Sequence, residues 1–375
     1  MSRECRFWVR LAAMTLVACS VACGGSAGTI NSIRHPVDGD SSPSDDDDDA
    51  SPADDDDNDD ASPSADDDDN DDDDSWSTMM SVTNQAFEAV WGSSATDVFV
   101  VGSQSGPSGW PSDAVIYHYD GSTWSEMVSG AADGLALNGI WGSSASDIFA
   151  VGQNLDAYPG TILHYDGSSW STMFTETTAG LFAVWGSSAT DVFAVGACCT
   201  GFHYNGSSWS EMATGASDYL RSLWGSSGTD VFAAGDDGVF HYDGSSWSEM
   251  YDGNGYYGLD GVWGSSSSDV FAGGENGLFH YDGSSWSPTY TGTSDEVLLY
   301  GLWGSTSSDV FAVGNDVHTF GGAILHYDGS WWSLMPSDPA QLTFFSGIWG
   351  SSASNVFTVG NNVASSSGLI MHYGG

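Results

Sequence analysis

The sequence predicts an all-β fold: a seven-bladed β-propeller with four-stranded blades, whose last blade is closed by the N-terminal strand. Three observations carry this. A Trp-Gly-Ser landmark opens each copy of a repeat, at Trp91, Trp141, Trp185, Trp224, Trp263, Trp303 and Trp349. A His-Tyr landmark follows each time, at His118, His164, His203, His241, His280, His326 and His372. A repeat of roughly 40–45 residues is the period of a four-stranded propeller blade. Finally, the last copy stops at His372-Tyr373 without its fourth run, while the missing WSTM stands at Trp76–Met79, identical to Trp170–Met173.

The most compact copy, from Leu220 to Met250, shows the four runs of one blade. They are Leu220–Trp224, Asp230–Ala234, Val239–Tyr242 and Trp247–Met250. Val, Phe, Tyr and Trp fill the runs, while Gly, Ser, Asp and Asn fill the gaps. Asp243-Gly244 between the third and fourth runs is a strong hairpin signal. No stretch of the repeats holds apolar residues at helical spacing for three turns. A chain that starts with the fourth strand of its last blade leaves no unpaired sheet at the seam.

Copies reading WGSS-x-x-DVFAVG and then HYDGSSWS resemble the propeller repeats common in bacterial secreted lipoproteins, and are similar to kelch repeats. The resemblance covers residues 76–375. It departs from kelch in having a single glycine at most second-strand ends (Gly102, Gly152, Gly196) and a shorter Tyr-to-Trp spacing.

Ahead of the repeats lie two other segments. Residues 1–23 read as a lipoprotein-type signal segment: Arg3, Arg6 and Arg10 precede an apolar run that ends in small residues. Leu16-Val17-Ala18-Cys19 resembles a bacterial lipobox, so Cys19 is the expected lipidation site. Cys23 is the alternative, with a poorer first position but with Gly24-Gly25 behind it. The run is too short to span a bilayer, which needs about 20 residues. Residues 24–75, dominated by aspartate runs between Ser-Pro and Ala, bury no core and repel themselves, so a disordered acidic tether is expected. These runs lack the glycine turns and fixed ligand spacing of a calcium site. Weak, diffuse calcium association is the only cation binding expected, with no cofactor and no specific metal site.

Charge narrows the partners. The formal net charge is −46, lysine is absent, and Arg221 is the only arginine in the repeats. Such a surface repels nucleic acid and anionic lipid. The membrane is therefore expected to be met only through the lipid anchor, and the chain to be a monomer. The expected location is the outer membrane or cell surface, with a periplasmic or secreted protein as the alternative.

The copies also indicate which face works. Turns between first and second runs are nearly identical (GSSATD, GSSASD), as are those between third and fourth (DGST, DGSS, NGSS, DGSW). The other two sets of loops vary. Strands of a blade alternate in direction, so uniform turns share one face and variable loops the other. Binding is usually placed on loops of a rigid scaffold. The variable face carries Trp110, Tyr158, Tyr219, Tyr256, Tyr257, Tyr290 and Tyr300, with Phe344, and aromatics among Ser, Asn and Asp suit a glycan or protein ligand. An equal alternative is that several of them pack their own loops.

No catalytic residue is expected. A catalytic group occurs once, whereas the seven blade histidines and Asp97, Asp147, Asp191, Asp230, Asp269 and Asp309 recur, as packing and turn-stabilising groups do. One arginine cannot form the cluster that a sialidase uses for its substrate carboxylate. Asp236, Asp237, Asp260 and Glu275 lie on the variable face, so a carbohydrate-active hydrolase or lyase using paired acids stands as an alternative. A purely structural envelope protein is the other. Cys198-Cys199 occurs once, in a variable-face loop, and in an oxidising exterior is a candidate vicinal disulfide.

Overall fold

The computed structural model describes residues 75–374, apart from 107–110, 128–133, 157–158, 176–178, 254–257, 276, 291–296, 320 and 337–342. The expected signal segment and all of the tether but Ser75 lie outside the described residues, as do Cys19 and Cys23.

Seven antiparallel sheets of four strands each make up the described chain. In blade 1 the strands run Gln85–Ser94, Asp97–Ser105, Pro111–Tyr119 and Trp124–Glu126, in spatial order from the axis outward. The innermost strands of blades 2 to 7 are Leu135–Ser144, Leu181–Ser188, Leu220–Ser227, Leu259–Ser266, Val297–Thr306 and Thr343–Ser352. Each innermost strand packs on those of the blades before and after it, and the seventh returns to the first. Blade 7 is completed from the other end of the chain. Trp76–Thr83 pairs with Ser367–Tyr373, Trp76 opposite Tyr373 and Thr83 opposite Ser367.

The core consists of layers between neighbouring blades. Phe99, Val101 and Ile116 of blade 1 meet Leu135, Leu137 and Ile140 of blade 2, and equivalent sets recur around the ring. The landmark pair Trp-Gly belongs to these layers. The indole of Trp91 lies so close over Gly142 that a Cβ there would come 2.6 Å from a ring carbon. A second glycine class, represented by Gly102, ends the second strand where a Cβ would meet the Ala86 carbonyl oxygen at 1.9 Å.

The recurrent histidines and aspartates form a clamp. His118 Nε2 lies 2.7 Å from Asp97 Oδ1, the Ser93 hydroxyl donates to Asp97 Oδ2, and the imidazole stacks on Phe99 with centroids 4.4 Å apart. The same His–Asp bond recurs at His164, His203, His241, His280 and His326. Blade 7 departs: Asn355 replaces the aspartate and accepts from the Ser351 hydroxyl at 3.2 Å. His372 Nε2 is then buried without a hydrogen-bond partner among the described residues, and burial lowers its pKa.

The uniform turns do share a face. In the DGST turn, Asp120 Oδ1 accepts from Thr123 N, the Ser122 hydroxyl and Ser122 N at 2.8–2.9 Å. These bonds, led by that from Thr123, hold its carboxyl down at about 2. Gly121, at φ +91°, packs against Thr96 of the other uniform turn, and Gly206 packs likewise against Thr190.

Candidate functional site

On the opposite face, each innermost strand contains one irregularity at the same place. Its pairing with the second strand slips by one residue three positions before the landmark tryptophan. The slipped residues are Glu88, Asn138, Phe182, Arg221, Asp260, Tyr300 and Ser346. A bulge of this kind turns one side chain out of the regular alternation and bends the strand. Its immediate neighbours are constant in character: a buried Phe or Leu before it (Phe87, Leu137, Leu181, Leu220, Leu259, Leu299, Phe345) and Ala, Gly or Ser after it. The bulged position itself is a different residue in all seven blades. The fold therefore sets a ring of seven unlike side chains about the axis, at the end where the variable loops lie.

Members of the ring touch across blade boundaries. Arg221 Nε lies 3.0 Å from Asp260 Oδ1 of the next blade, and Nε and Nη2 donate to Asp236 at 2.7 and 3.0 Å. The Arg221 side chain is only 7% exposed. Burial alone would lower its pKa, but the Asp260 charge and the Asp236 bonds outweigh this and raise it. Its guanidinium lies over Tyr219 at 5.2 Å and Phe182 at 5.8 Å, and those two rings meet edge to face. Across the seam between blades 7 and 1, Ser346 and Asn361 donate to the Glu88 carboxyl. Burial overrides these bonds and pushes it up to about 8. Asn361 Oδ1 also accepts from Phe87 N at 2.9 Å. Asn138 Nδ2 donates to the Leu181 carbonyl at 2.8 Å.

A second set stands just after the second-strand glycine: Ser103, Gln153, Ala197, Asp236, Glu275, Asn315 and Asn361. Ser103, Gln153, Glu275 and Asn315 are buried. Among the described residues these four buried polar side chains thus gather at one mouth of the ring, and the amide of Asn315 is buried there without a hydrogen-bond partner.

The residues singled out from the sequence divide as follows. Tyr300 is a ring member, and Tyr219 flanks the ring against Arg221 and Phe182. Tyr290 ends the outer strand of blade 5, opposite Leu278, and packs on the core between blades 5 and 6. Phe344 is buried. Trp110, Tyr158, Tyr256 and Tyr257 lie outside the described residues. Asp236 and Asp260 are brought together, but by the single guanidinium of Arg221. Asp237 Oδ2 caps a neighbouring loop, accepting from Ser217 N and its hydroxyl at 2.6 and 2.8 Å. Asp218 beside them has a raised pKa, from burial first and then from the Asp236 charge. Among the described residues no group of three His, Cys, Asp or Glu side chains could hold a metal ion.

Cys198 and Cys199, the candidate vicinal pair, lie at the tip of a variable-face loop. The two are the central residues of a tight turn, with φ of 53° and 59° and a bond of 3.1 Å from Thr200 N to the Ala197 carbonyl. Two left-handed residues in succession make a type I′ turn. Hydrogen bonds to the backbone fix the tip: Cys199 N donates to the Asp218 carbonyl, and the Thr214 hydroxyl donates to that of Cys199, both at 3.1 Å.

Glu88, Asn138, Phe182, Arg221 and Ser346 were not singled out from the sequence as site residues. The signal was there: with the copies aligned on Trp-Gly, the third position before the tryptophan varies freely between neighbours of constant character.

The fold and ring define a repeat protein, a seven-bladed β-propeller with one specialised mouth. No family model matches the chain, and no curated protein does. Solved structures of similar fold include one described as YCF48 bound to D1 peptide, at 15% identity and a TM-score of 0.62 over 80% of this chain and 97% of that one. YCF48 from Cyanidioschyzon merolae is similar at 12% identity and 0.59, over 80% and 99%. The WD40 repeats of RRP9 are similar at 11% identity and 0.62, over 80% and 97%. These likenesses bear on the fold alone.

Proposed function

We propose that this chain is an exported, lipid-anchored binding module, and that its variable face engages a segment of a protein partner at the cell exterior. The observation that carries the reading is the bulged ring. Seven copies agree closely along much of their strands and in their uniform turns, yet carry seven different residues at the position that the bulge turns out at the mouth. A stabilising device would repeat; a recognition surface has no reason to. The peptide bound to a propeller of similar fold supports a protein ligand. Phe182, Tyr219 and Tyr300 supply aromatic contact around Arg221, and the acidic surroundings favour a partner carrying basic residues. A glycan is the second reading, favoured by the half-buried Tyr219 and Tyr300 and the amide of Asn138 at the same mouth.

Anchoring rests on Arg3, Arg6 and Arg10, the apolar run and the lipobox-like Leu16–Cys19, with Cys23 as the alternative acceptor. Acyl labelling in cells, lost with Cys19→Ala or with Cys23→Ala, tests it. Binding is tested by probing the full chain against envelope proteins and a glycan array. The reading expects Tyr219→Ala and Tyr300→Ala to abolish capture and Ser122→Ala, in a uniform turn, to leave it intact. Equal loss from all three, or from none, overturns it.

A further inference from the structure

Three large apolar side chains are exposed among the described residues: Trp331 (67%), Leu334 (65%) and Val363 (40%). Two of them sit at the two ends of a single strand, Trp331 just before and Leu334 as the last residue of Trp332–Leu334, which is the outermost of blade 6. Neither is typical of its position. Serine or threonine stands at the place of Trp331 in blades 1 to 5, and Glu126, Glu211, Glu249 and Pro288 stand at that of Leu334 in four of them. Charged residues and proline on an edge strand keep foreign strands from pairing with it. Blade 6 alone carries large apolar groups at both positions.

We propose that the outer edge of blade 6 is a second docking surface, taking an extended segment of a partner protein in which lysine or arginine alternates with apolar residues. Extended segments add to an exposed sheet edge through backbone hydrogen bonds, while alternate side chains supply specificity. Leu334 offers the apolar contact, and the Trp331 indole offers a face for a cation. Charge selects the occupant. Asp328, in the same turn, accepts from Ser330 N and Trp331 N at 2.8 and 3.0 Å, and these bonds, led by that from Trp331, hold its carboxyl below the usual range. A second copy of a chain with net charge −46 and no lysine is repelled from this edge, whereas a basic segment is attracted. The surface is distinct from the ring, because Trp331 belongs to a uniform turn on the opposite face.

The test uses the full chain and a short synthetic peptide alternating valine and lysine, at moderate salt, followed by hydrogen exchange and affinity. Trp331→Ser and Leu334→Glu restore residues that sister blades carry, so both variants are expected to melt as the parent does. Amide protection centred on residues 331–335, with affinity reduced at least about tenfold by either variant, is the expected result. The proposal is overturned by undiminished binding in both variants, by equal binding of a serine–lysine peptide, or by no binding at all. Self-association of the chain that protects the same amides also overturns it, since the occupant would then be a second copy.

Discussion

The indole of Trp349, in the last blade, lies over Gly92, in the first: a Cβ on Gly92 would come 2.6 Å from a carbon of that ring. The same relation holds from Trp91 to Gly142 and from Trp303 to Gly350, so the Trp-Gly pair locks each blade to the next. Across the seam it locks the two ends of the repeat array. Gly92→Ala therefore forces the indole or the strand to shift, and overpacking of this kind costs typically about 1–3 kcal/mol. A lower urea midpoint is expected. Trp349→Leu removes the obstacle, so the double variant is expected to lose less than the sum of the two single changes. Strict additivity would show that the contact does not limit packing.

Blade 7 is the one blade whose histidine lacks a carboxylate. Asn355→Asp rebuilds the clamp made elsewhere by Asp97 and His118, and is expected to stabilise by about 1 kcal/mol, as a charged hydrogen bond does at half-buried sites. The pH dependence gives the sign. In the parent, burial depresses the His372 pKa, so that group contributes stability above its unfolded pKa of 6.5, which is lost as pH falls below that value towards the folded one. With the new carboxylate in place the folded pKa rises, and the stabilisation is largest below the unfolded value. Histidine titration by NMR, together with melting at pH 5 and pH 8, checks both. A variant that gains nothing at pH 5 contradicts the clamp.

Glu88 titrates in the other direction. Its folded pKa, about 8, lies above the ordinary value of 4.5, so the folded state holds a proton that the unfolded state has lost. Stability is therefore greatest below pH 4.5 for this group and declines as pH rises towards 8, by up to about 1.4 kcal/mol per pH unit. Glu88→Gln removes the slope while keeping hydrogen bonds to Ser346 and Asn361 available. Parallel stability curves for parent and variant between pH 5 and 8 would refute the assignment.

Much of this architecture is legible in the sequence, for a physical reason. A blade cannot bury its faces alone, so each copy must present the same interlocking groups to its neighbours. Trp91 and Gly142, or His118 and Asp97, then recur visibly. Alternation of strand direction separates the uniform Thr96 and Gly121 turns from the variable loops, and WSTM ahead of the first copy gives the closure. The ring at the mouth is harder to read. Period-2 reasoning assumes an unbroken strand, and Glu88, Phe182 and Arg221 share no chemistry that would mark them as equivalents. The aligned copies show this position only as a variable one; the bulge that unites it into a ring is a property of strand pairing.

Arg221 ties the ring to stability. Its guanidinium serves Asp236 and Asp260, and the side chains of Arg221 and Asp260 are 7% and 6% exposed. Removing one partner of a buried ion pair leaves a charge without compensation and costs about 3–5 kcal/mol. Arg221→Ala is expected to lower the denaturation midpoint accordingly, whereas Arg221→Ala with Asp236→Asn and Asp260→Asn is expected to recover most of the loss. Stability and recognition then separate. The triple variant keeps the fold but removes the cation beneath Tyr219 and Phe182, so captured partner should fall even where melting is restored. If capture recovers together with stability, the Arg221 group serves the fold alone and the aromatic side chains carry recognition without it.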